Sequence, residues 1–293
     1  MSSQKETKKK KFSIRSWALK KKKGLPISMV TAYDYSSGKF VDEAGIDTIL
    51  VGDSMNMVML GKDSTYSLTM DETIHHCKAV AQGSNRAFLI GDLPFMSYQA
   101  DVVDAVRNAG RLIKEGQMDA VKLEGGKRMA AQVSAIVAAG IPVVGHIGLT
   151  PQSLSALGGY RIQGKTSEQA MVLYEDALAL QEAGCFAIVL ESIPVPVATE
   201  ITKRLSIPTI GIGAGSGCDG QVLVYHDILG LFDDFMPRFV KQYANLKPII
   251  LEALSSFHED VENRAFPAEE HTYPMKDEEK GRFMKEINQH DIF

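Results

Sequence analysis

Cysteine is scarce in this chain of 293 residues, and neither sign of charge is in strong excess. The three cysteines, Cys77, Cys185 and Cys218, lie far apart and form no CxxC pair. This spacing excludes a disulfide framework and a zinc knuckle of the usual pattern. Isolated cysteines are typical of a reducing compartment, so we predict a cytoplasmic protein.

Long apolar runs are missing as well. No stretch approaches the ~20 consecutive apolar residues of a membrane span, and the N-terminus lacks the apolar core of a signal peptide. A net charge of −4 gives no reason to expect nucleic acid, whose binding proteins carry a basic surface. With 45% hydrophobic and 23% charged residues, the chain is predicted to be globular and to act on small molecules, not on nucleic acid or membrane.

The N-terminus is locally basic, with KETKKKK at 5–11 and KKKK at 20–23. A nucleic-acid or membrane-surface arm would use such lysines, but runs of this kind are more often solvated. We interpret the segment as a frayed tail followed by a short helix. Ile14, Trp17 and Leu19 are expected on the apolar side of that helix.

Short apolar runs alternate with segments of helical spacing along most of the chain. We count eight runs: ISMVTAYD, DTILVGDS, AFLIGDLP, DAVKLEGG, IPVVGHIG, CFAIVLES, IPTIGIGA and VLVYHDIL. Alternating strands and helices indicate a parallel sheet, and near-continuous apolar strands belong to sheets covered on both faces. The sequence therefore predicts an α/β fold, a single-domain (β/α)₈ TIM barrel, with an open doubly wound sheet as the alternative.

No linker interrupts this pattern. After about residue 245 it gives way to a helix, and a charged segment from about Lys276 is expected to be loosely ordered. We assign residues 1–12 to a basic N-terminal tail, 13–275 to the catalytic barrel domain and 276–293 to a charged C-terminal tail. Within the barrel, Thr69 and Glu72 form a T-x-x-E capping box before a predicted helix.

Polar side chains follow the apolar runs at the points where the strands end. In a (β/α)₈ barrel the carboxyl ends of the strands meet at one face, which carries the active site. The strand ends therefore predict one shared pocket, lined by Tyr33, Asp34, Asp53, Ser54, Asp92, Lys122, Glu124, His146, Glu191, Ser192 and the glycines of GIGAGSG.

Asp53 and Asp92 end neighbouring strands. Each aspartate alone is explained equally well as the cap of a following helix or turn. Two at equivalent positions favour a divalent cation, which relieves the repulsion between carboxylates. Oxygen ligands without a nearby Cys or His pair favour Mg²⁺, which leaves positions open for water and substrate. An α-keto acid chelated there would be stabilised as its enolate.

Lys122 and Glu124 share one parity in VKLEGG, so both are expected to face inward. Glu124 is either a third acidic group at the cation, directly or through water, or a salt-bridge partner of Lys122. Lys122 either binds the substrate carboxylate or forms a Schiff base. The neighbouring acids favour carboxylate binding because they keep the amine protonated.

Glu191 ends the run AIVLES, where apolar surroundings can raise the pKa of a carboxyl group. Such a group is suited to remove a proton next to a carbonyl. A pair with an arginine is the alternative. His146 is a donor to a developing oxyanion, a ligand through water, or a satisfied core histidine, and the sequence leaves these open.

The longest of these motifs resemble a known family. Eight segments, in order over about residues 13–275, are similar to ketopantoate hydroxymethyltransferases of the pantothenate pathway: MVTAYDYSSGKFVDEAGIDTILVGDS, LIGDLPFMSY, VKLEGG, GHIGLTPQS, YRIQGK, VLESIP, GIGAGSGCDGQVLVYHDILG and FPAEEHTYPM. The lysine-rich start and the final DEEKGRFMKEINQHDIF fall outside the resemblance.

The resemblance implies a (β/α)₈ barrel that transfers a one-carbon unit from methylenetetrahydrofolate to α-ketoisovalerate, giving ketopantoate and tetrahydrofolate. It implies one Mg²⁺ per subunit at Asp53 and Asp92 with Glu124, keto-acid binding by Ser54 and Lys122, and proton abstraction by Glu191. His146 completes the substrate-binding set that we predict. The family also forms large homo-oligomers, typically homodecamers. The alternative function is a metal-dependent aldolase or lyase that acts on a pyruvate-like keto acid without folate.

Overall fold

The computed structural model describes residues 10–232 and 236–289. The chain divides into two compact units, and the boundary along the sequence falls between Ala244 and Asn245. Residues 1–9 of the predicted N-terminal tail and 290–293 of the predicted C-terminal tail lie outside the described residues. The domain boundaries near 12 and 275 stay predictions.

The first unit contains the predicted barrel. Its parallel strands are β1 (Ile27–Thr31), β2 (Thr48–Val51), β3 (Phe88–Asp92), β4 (Ala120–Glu124), β5 (Val143–Gly148), β6 (Ala187–Glu191), β7 (Thr209–Ile212) and β8 (Gly220–Leu223). They pair in chain order, and β8 pairs with β1, which closes the barrel. The prediction of a (β/α)₈ barrel is confirmed, and the open doubly wound sheet is excluded.

Helices connect the strands. They are α1 (Ile14–Lys23), α2 (Tyr35–Glu43), α3 (Met55–Val58), α4 (Met70–Gly83), α5 (Val102–Lys114), α6 (Ala130–Ala138), α7 (Leu154–Leu157), α8 (Ser167–Glu182), α9 (Val195–Arg204) and α10 (Tyr225–Leu229). The second unit contains α11 (Leu246–Glu262) and α12 (Asp277–Ile287). None of the helices in the described ranges is both long and apolar enough to cross a membrane.

Side-chain caps fix where two of these helices begin. The capping box of Thr69 and Glu72 is confirmed at the start of α4. Asp34 accepts a hydrogen bond from the backbone N–H of Ser37, so it caps α2 and does not belong to the pocket that was predicted at the strand ends. A side-chain oxygen at this position satisfies one of the free N–H groups of the first helical turn.

The eighth apolar run is shorter as a strand than the sequence predicts. β8 ends at Leu223, and YHDIL forms α10. Pairing with β1 stops at Leu223, opposite Val30. The next free N–H, that of Tyr225, donates to the Thr31 hydroxyl at 2.9 Å. Beyond this point the backbone forms α10.

The interior of the barrel has an apolar floor and a polar top. Alternate residues of each strand point inward, so Ala120 lies in the floor while Lys122 and Glu124 lie above it. The same holds on β6, where Val189 precedes Glu191. The apolar inward cluster comprises Trp17, Ile27, Met29, Leu50, Phe88, Ile90, Ala120, Val144, Ala187, Val189, Ile210 and Val222. The polar groups are therefore carried on a packed base.

Trp17 closes the bottom of the barrel from α1. Its indole is fully buried and meets the ring of Phe186 edge-on, with centroids 5.4 Å apart. The expected apolar side of α1 is reduced to this residue, because Ile14 and Leu19 are 37% and 50% exposed. The Trp17 ring alone fills the bottom of the barrel, and the side chains of Ile14 and Leu19 remain partly exposed at the surface.

Lysines around Trp17 pair with aspartates that precede strands. Lys11, Lys20 and Lys21 lie 2.7, 2.6 and 2.7 Å from carboxylate oxygens of Asp119, Asp47 and Asp219, in that order. Each carboxylate also accepts a backbone N–H from the strand beside it, donated by Leu89, Ser28 and Thr209 respectively. These lysines hold the N-terminal segment against the barrel.

The charged C-terminal segment also differs from its expected loose order. Residues 277–287 form α12, whose first turn contains Asp277, Glu278 and Glu279. Arg282 pairs with Glu278 at 3.1 Å and with Glu279 at 3.2 Å. Acidic residues at a helix N-terminus and pairs at three- and four-residue spacing both stabilise a helix.

Trp17→Ala should lower the free energy of unfolding by about 3–5 kcal/mol, because it empties the base of the barrel. Leu19→Ala on the same helix should change it by less than about 0.5 kcal/mol, since that side chain is half exposed. Urea denaturation followed by circular dichroism measures both. Equal losses in the two variants would contradict the role assigned to Trp17.

Candidate active site

A cavity of about 620 Å³ opens at the carboxyl end of the strands. Of the residues that the sequence placed at the strand ends, Tyr33 and Asp34 do not line it. The others do: Asp53, Ser54, Asp92, Lys122, Glu124, His146, Glu191 and Ser192. Gly213, at φ +64°, and Gly215 of GIGAGSG also line it. A Cβ on Gly213 would lie 2.7 Å from the Phe239 ring, so this position requires glycine for both its conformation and its space.

Asp53 and Asp92 lie side by side. The backbone N–H of Asp53 donates to Asp92 Oδ2 at 3.1 Å. Neither carboxylate caps a helix, so the capping interpretation fails for both. Burial, with the charges of Asp92 and Glu124, raises the pKa of Asp53 to about 8. Burial likewise raises the pKa of Asp92, although Lys122 opposes the shift.

Lys122 is the cation among these acids. Its Nζ lies 2.8 Å from Asp92 Oδ1 and 3.9 Å from Glu124 Oε1. Burial lowers the pKa of the ammonium group, but the surrounding carboxylates outweigh burial and raise it. The amine is therefore protonated at neutral pH, which disfavours the Schiff-base alternative.

His146 joins the two glutamates of the site. Its Nδ1 lies 3.4 Å from Glu124 Oε1, and its Nε2 lies 3.1 Å from Glu191 Oε2. Burial and Lys122 lower the pKa of the imidazole. The two glutamates outweigh these effects and raise the pKa to about 9. Burial raises the pKa of Glu124, yet His146, Lys122 and Gln152 bring it below its ordinary value. Glu191 thus faces a histidine, not the arginine of the alternative interpretation.

Ser54 follows Asp53 directly and is the N-cap residue of α3. Its hydroxyl is 2.8 Å from the hydroxyl of Tyr33, a fully buried residue just beyond β1. Burial raises the pKa of Tyr33, so the phenol stays neutral and hydrogen-bonded. Tyr33 was expected at the rim without a role, and the structure makes it the support of Ser54.

The carboxylates suit a hard divalent cation. Asp53 Oδ1 receives no hydrogen bond within residues 10–232 and 236–289, and the buried Glu124 Oε1 receives none of good geometry there. In the same ranges no group of three His, Cys, Asp or Glu side chains is arranged to hold a metal by itself. Mg²⁺ commonly takes one or two carboxylates together with water and substrate oxygens. The donor set is consistent with that ion.

Sequence reasoning missed three polar residues of the site. Gln152 and Tyr98 are buried and hydrogen-bonded to its carboxylates or their backbone. Asp227 of α10 lines the cavity, and burial raises its pKa to about 6. Asp227 lay in a run assigned to a strand. Tyr98 lies in a loop and Gln152 in a single 3₁₀ turn, Pro151–Ser153, and segments this short have no periodicity that indicates which side chains turn inward.

Residues 11–269 match the sequence profile of a family described as ketopantoate hydroxymethyltransferase. A protein of Syntrophobacter fumaroxidans named 3-methyl-2-oxobutanoate hydroxymethyltransferase is 58% identical over 249 residues, which are 85% of this chain and 88% of the relative. A protein of the same name from Heliobacterium modesticaldum is 53% identical over 274 residues, covering 94% of this chain and 99% of the relative.

Solved structures of the same fold include other enzymes. A phosphonopyruvate hydrolase in complex with oxalate and Mg²⁺ has a TM-score of 0.58 at 12% identity, covering 94% of this chain and 96% of that one. A 2,3-dimethylmalate lyase, described as a member of the PEP mutase/isocitrate lyase superfamily, has a TM-score of 0.58 at 14% identity, covering 94% and 98%. At these identities the likeness concerns the fold alone.

Lys122→Met should lower the free energy of unfolding by about 3–5 kcal/mol, because it leaves buried carboxylates without their cation. Lys203→Met is the matched control, since Lys203 pairs with Glu200 at 2.9 Å on the surface. That variant should lose less than about 1 kcal/mol. Urea denaturation at neutral pH in the presence of EDTA makes the comparison. A loss as small as that of the control would show that the buried network does not depend on Lys122.

Asp53→Asn should stabilise the metal-free protein increasingly as the pH rises. The folded-state pKa of about 8 lies above the ordinary 3.8, so the folded protein binds the proton more tightly than the unfolded chain. Its stability therefore falls as the pH rises through this window. Thermal melts in EDTA should show an advantage of the variant that grows from about pH 4 to 8 and then stays level. A constant difference would contradict the raised pKa.

Proposed function

This chain belongs to the ketopantoate hydroxymethyltransferase family, and we propose that it transfers a hydroxymethyl group from methylenetetrahydrofolate to α-ketoisovalerate, 3-methyl-2-oxobutanoate. The products are ketopantoate and tetrahydrofolate, within pantothenate biosynthesis. The observation that carries the proposal is the convergence of acids, a lysine and a histidine in one cavity, in a chain 58% identical over 249 residues to a relative of that name.

Asp53 and Asp92 would hold one Mg²⁺ per subunit, with Glu124 beside them directly or through water. When bound, the cation would polarise the keto group and stabilise the negative charge that develops on its oxygen. Support comes from the raised pKa values of both aspartates, since carboxylates that repel each other in a buried site gain most from a cation.

Lys122 and Ser54 would bind the keto acid. The Lys122 ammonium group is protonated and lies 2.8 Å from Asp92, so a substrate carboxylate placed there would meet a positive charge next to the cation site. The Ser54 hydroxyl is held by Tyr33 and can donate to a substrate oxygen. Together they would orient the substrate with its C3 hydrogen toward Glu191.

Glu191 would remove the proton from C3. Its Oε2 is engaged by His146 Nε2 at 3.1 Å, which fixes the carboxylate and leaves Oε1 to accept the proton. The electron pair of the C–H bond would then form the enolate, whose C3 would attack the methylene carbon of the ring-opened iminium form of the folate while the C=N π electrons return to nitrogen. Water would supply the hydroxyl group as the bond between the methylene carbon and the folate nitrogen breaks, which releases ketopantoate and tetrahydrofolate. His146 is a positioning residue in this scheme, since its Nε2 lies 3.1 Å from the Glu191 carboxylate.

The size of the cavity supports a second, larger substrate. About 620 Å³ is in the range of sites for drug-sized ligands and exceeds the needs of a small keto acid. Aromatic and cationic side chains line it beyond the acids: Tyr160, Arg161, Phe232, Arg238 and Phe239. Rings and guanidinium groups suit a flat heterocycle with an anionic tail, which is the chemistry of a folate.

A large homo-oligomer, a decamer in the family's pattern, is part of the proposal, as is a cytoplasmic location. Large apolar side chains on α11 support self-association: Ile249, Ile250, Leu251, Leu254, Phe257 and Val261 are each at least 43% exposed. Contiguous apolar surface of this kind marks an interaction site. Analytical ultracentrifugation would return a single-chain mass if this part of the proposal is wrong.

Proton NMR of α-ketoisovalerate in D₂O tests the chemistry. The C3 proton should be lost in the presence of Mg²⁺ and retained with EDTA, and ketopantoate should form once methylenetetrahydrofolate is added. A metal-dependent lyase acting without folate would instead cleave or exchange a pyruvate-like acid and form no ketopantoate. Retention of the proton together with no product would refute the proposed function.

Glu191→Gln should reduce both C3 exchange and turnover by at least about 10²-fold, because it removes the general base. Binding of α-ketoisovalerate, measured by calorimetry with Mg²⁺, should stay within a few-fold of the wild type. Glu200→Gln, on the exposed face of α9, is the control and should retain full activity. Loss of binding along with turnover would point to a structural role for Glu191.

A further inference from the structure

We infer that Gln152 is a positioning residue that sets the direction of the Asp53 carboxylate, and that Tyr98 acts on Asp53 through Gln152. The inference rests on the proposed function in one respect, the assignment of Asp53 to the cation site. Neither residue was indicated by the strand-end pattern, because neither lies at a strand end: Tyr98 lies in the loop after β3, and Gln152 lies in a short 3₁₀ helix, Pro151–Ser153, after β5.

Gln152 contacts both sides of the acidic cluster. Its side-chain Nε2 donates to Asp53 Oδ2 at 3.0 Å and to the carbonyl oxygen of Leu93 at 2.9 Å. Its backbone N–H donates to Glu124 Oε2 at 2.9 Å. The residue is 2% exposed, so these bonds are shielded from water. One residue thereby ties together two carboxylates that belong to different strands of the barrel.

The orientation of the Gln152 amide is fixed by its neighbours. The Leu93 carbonyl can only accept, so the nitrogen must face it. On the other side, Oε1 accepts from the Tyr98 hydroxyl at 2.7 Å and from Gln99 Nε2 at 3.2 Å. A flipped amide would set its oxygen against the Leu93 carbonyl and the Asp53 carboxylate. The contacts to Leu93 and Asp53 therefore determine the orientation.

Tyr98 is the anchor of this arrangement. Its fully buried hydroxyl accepts the backbone N–H of Glu124 at 3.0 Å. It lies 2.7 Å from Gln152 Oε1 and 3.1 Å from the Glu124 carbonyl oxygen. A phenol has one hydrogen to donate, and the shorter contact assigns it to Gln152. The end of β4 thus positions the glutamine, and the glutamine positions Asp53.

As a result, one oxygen of the Asp53 carboxylate is hydrogen-bonded to Gln152 and the other is not. Oδ2 accepts from Gln152, whereas Oδ1 receives no hydrogen bond within the described part of the chain. Because the amide is neutral, it orients the carboxylate without competing with a cation for its charge. Hydrogen bonds of this kind to ligating carboxylates typically change metal affinity about 10–100-fold when removed.

A double-mutant cycle on Mg²⁺ affinity tests the inference. Gln152→Met keeps the length of the side chain and removes its amide, and Tyr98→Phe removes only the hydroxyl. Titration calorimetry with MgCl₂, without substrate, should show about 10–100-fold weaker binding in Gln152→Met. Tyr98→Phe should weaken binding alone but add less than two-fold in the Gln152→Met background, because residues that act in series are not additive.

Gln132→Met is the matched control. Gln132 is a buried glutamine on α6 that does not line the cavity, so its variant should bind Mg²⁺ as the wild type does. Melting temperatures in EDTA separate folding from binding. A residue with a structural role alone would lower the melting temperature without changing the Mg²⁺ dissociation constant of the folded protein.

The outcomes distinguish this inference from the proposed function. If the wild type binds no Mg²⁺, the proposed cation site is wrong and the inference falls with it. If the wild type binds and Gln152→Met stays within two-fold of it, the inference alone is wrong. Additive losses would refute the route from Tyr98 through Gln152. Should Gln152→Met not fold, Tyr98→Phe alone decides, and unchanged Mg²⁺ binding in that variant would overturn the inference.

Discussion

The site depends on the enclosure of a single lysine among carboxylates. Lys122 is 2.8 Å from Asp92, and both side chains are almost wholly buried. Removing such ions from water costs several kcal/mol each, and the cost is offset only where every partner is in place. His146, between Glu124 and Glu191, extends the same principle across the pocket. The positions of the charged side chains in the site are therefore determined by the need of each buried charge for a partner of opposite charge.

The alternation of side chains along each strand allows this enclosure. Residues of one parity fill the barrel, and their character changes from apolar at the amino end to ionisable at the carboxyl end, as in Ala120, Lys122 and Glu124. The floor gives the acids a rigid, water-poor base. The connecting segments then supply neutral donors: Gln152 donates to the Asp53 carboxylate, and the Tyr98 hydroxyl donates to Gln152.

Much of this could be predicted from the sequence, for identifiable reasons. Buried parallel strands require continuous apolar runs, so all eight were visible, and their common edge brought Asp53, Asp92 and Glu191 into one set. Residues in short connecting segments, such as Tyr98 in its loop and Gln152 in its single 3₁₀ turn, follow no period. The helix that begins at Tyr225 and the exposure of Leu19 depend on contacts with other parts of the folded chain. The periodicity of one segment carries no information about those contacts.

The closure of the barrel base links the two ends of its chain. Lys21, in the first helix, pairs with Asp219, which precedes the last strand, and β1 needs β8 as its neighbour. During synthesis the N-terminal helix therefore emerges from the ribosome long before Asp219 exists. Trp17 has no complete barrel to enter until nearly the whole first unit has been translated. Until then, Trp17 and the lysines around it lack some of the residues that they contact in the folded barrel, so the first segment to be synthesised is among the last to reach its final position.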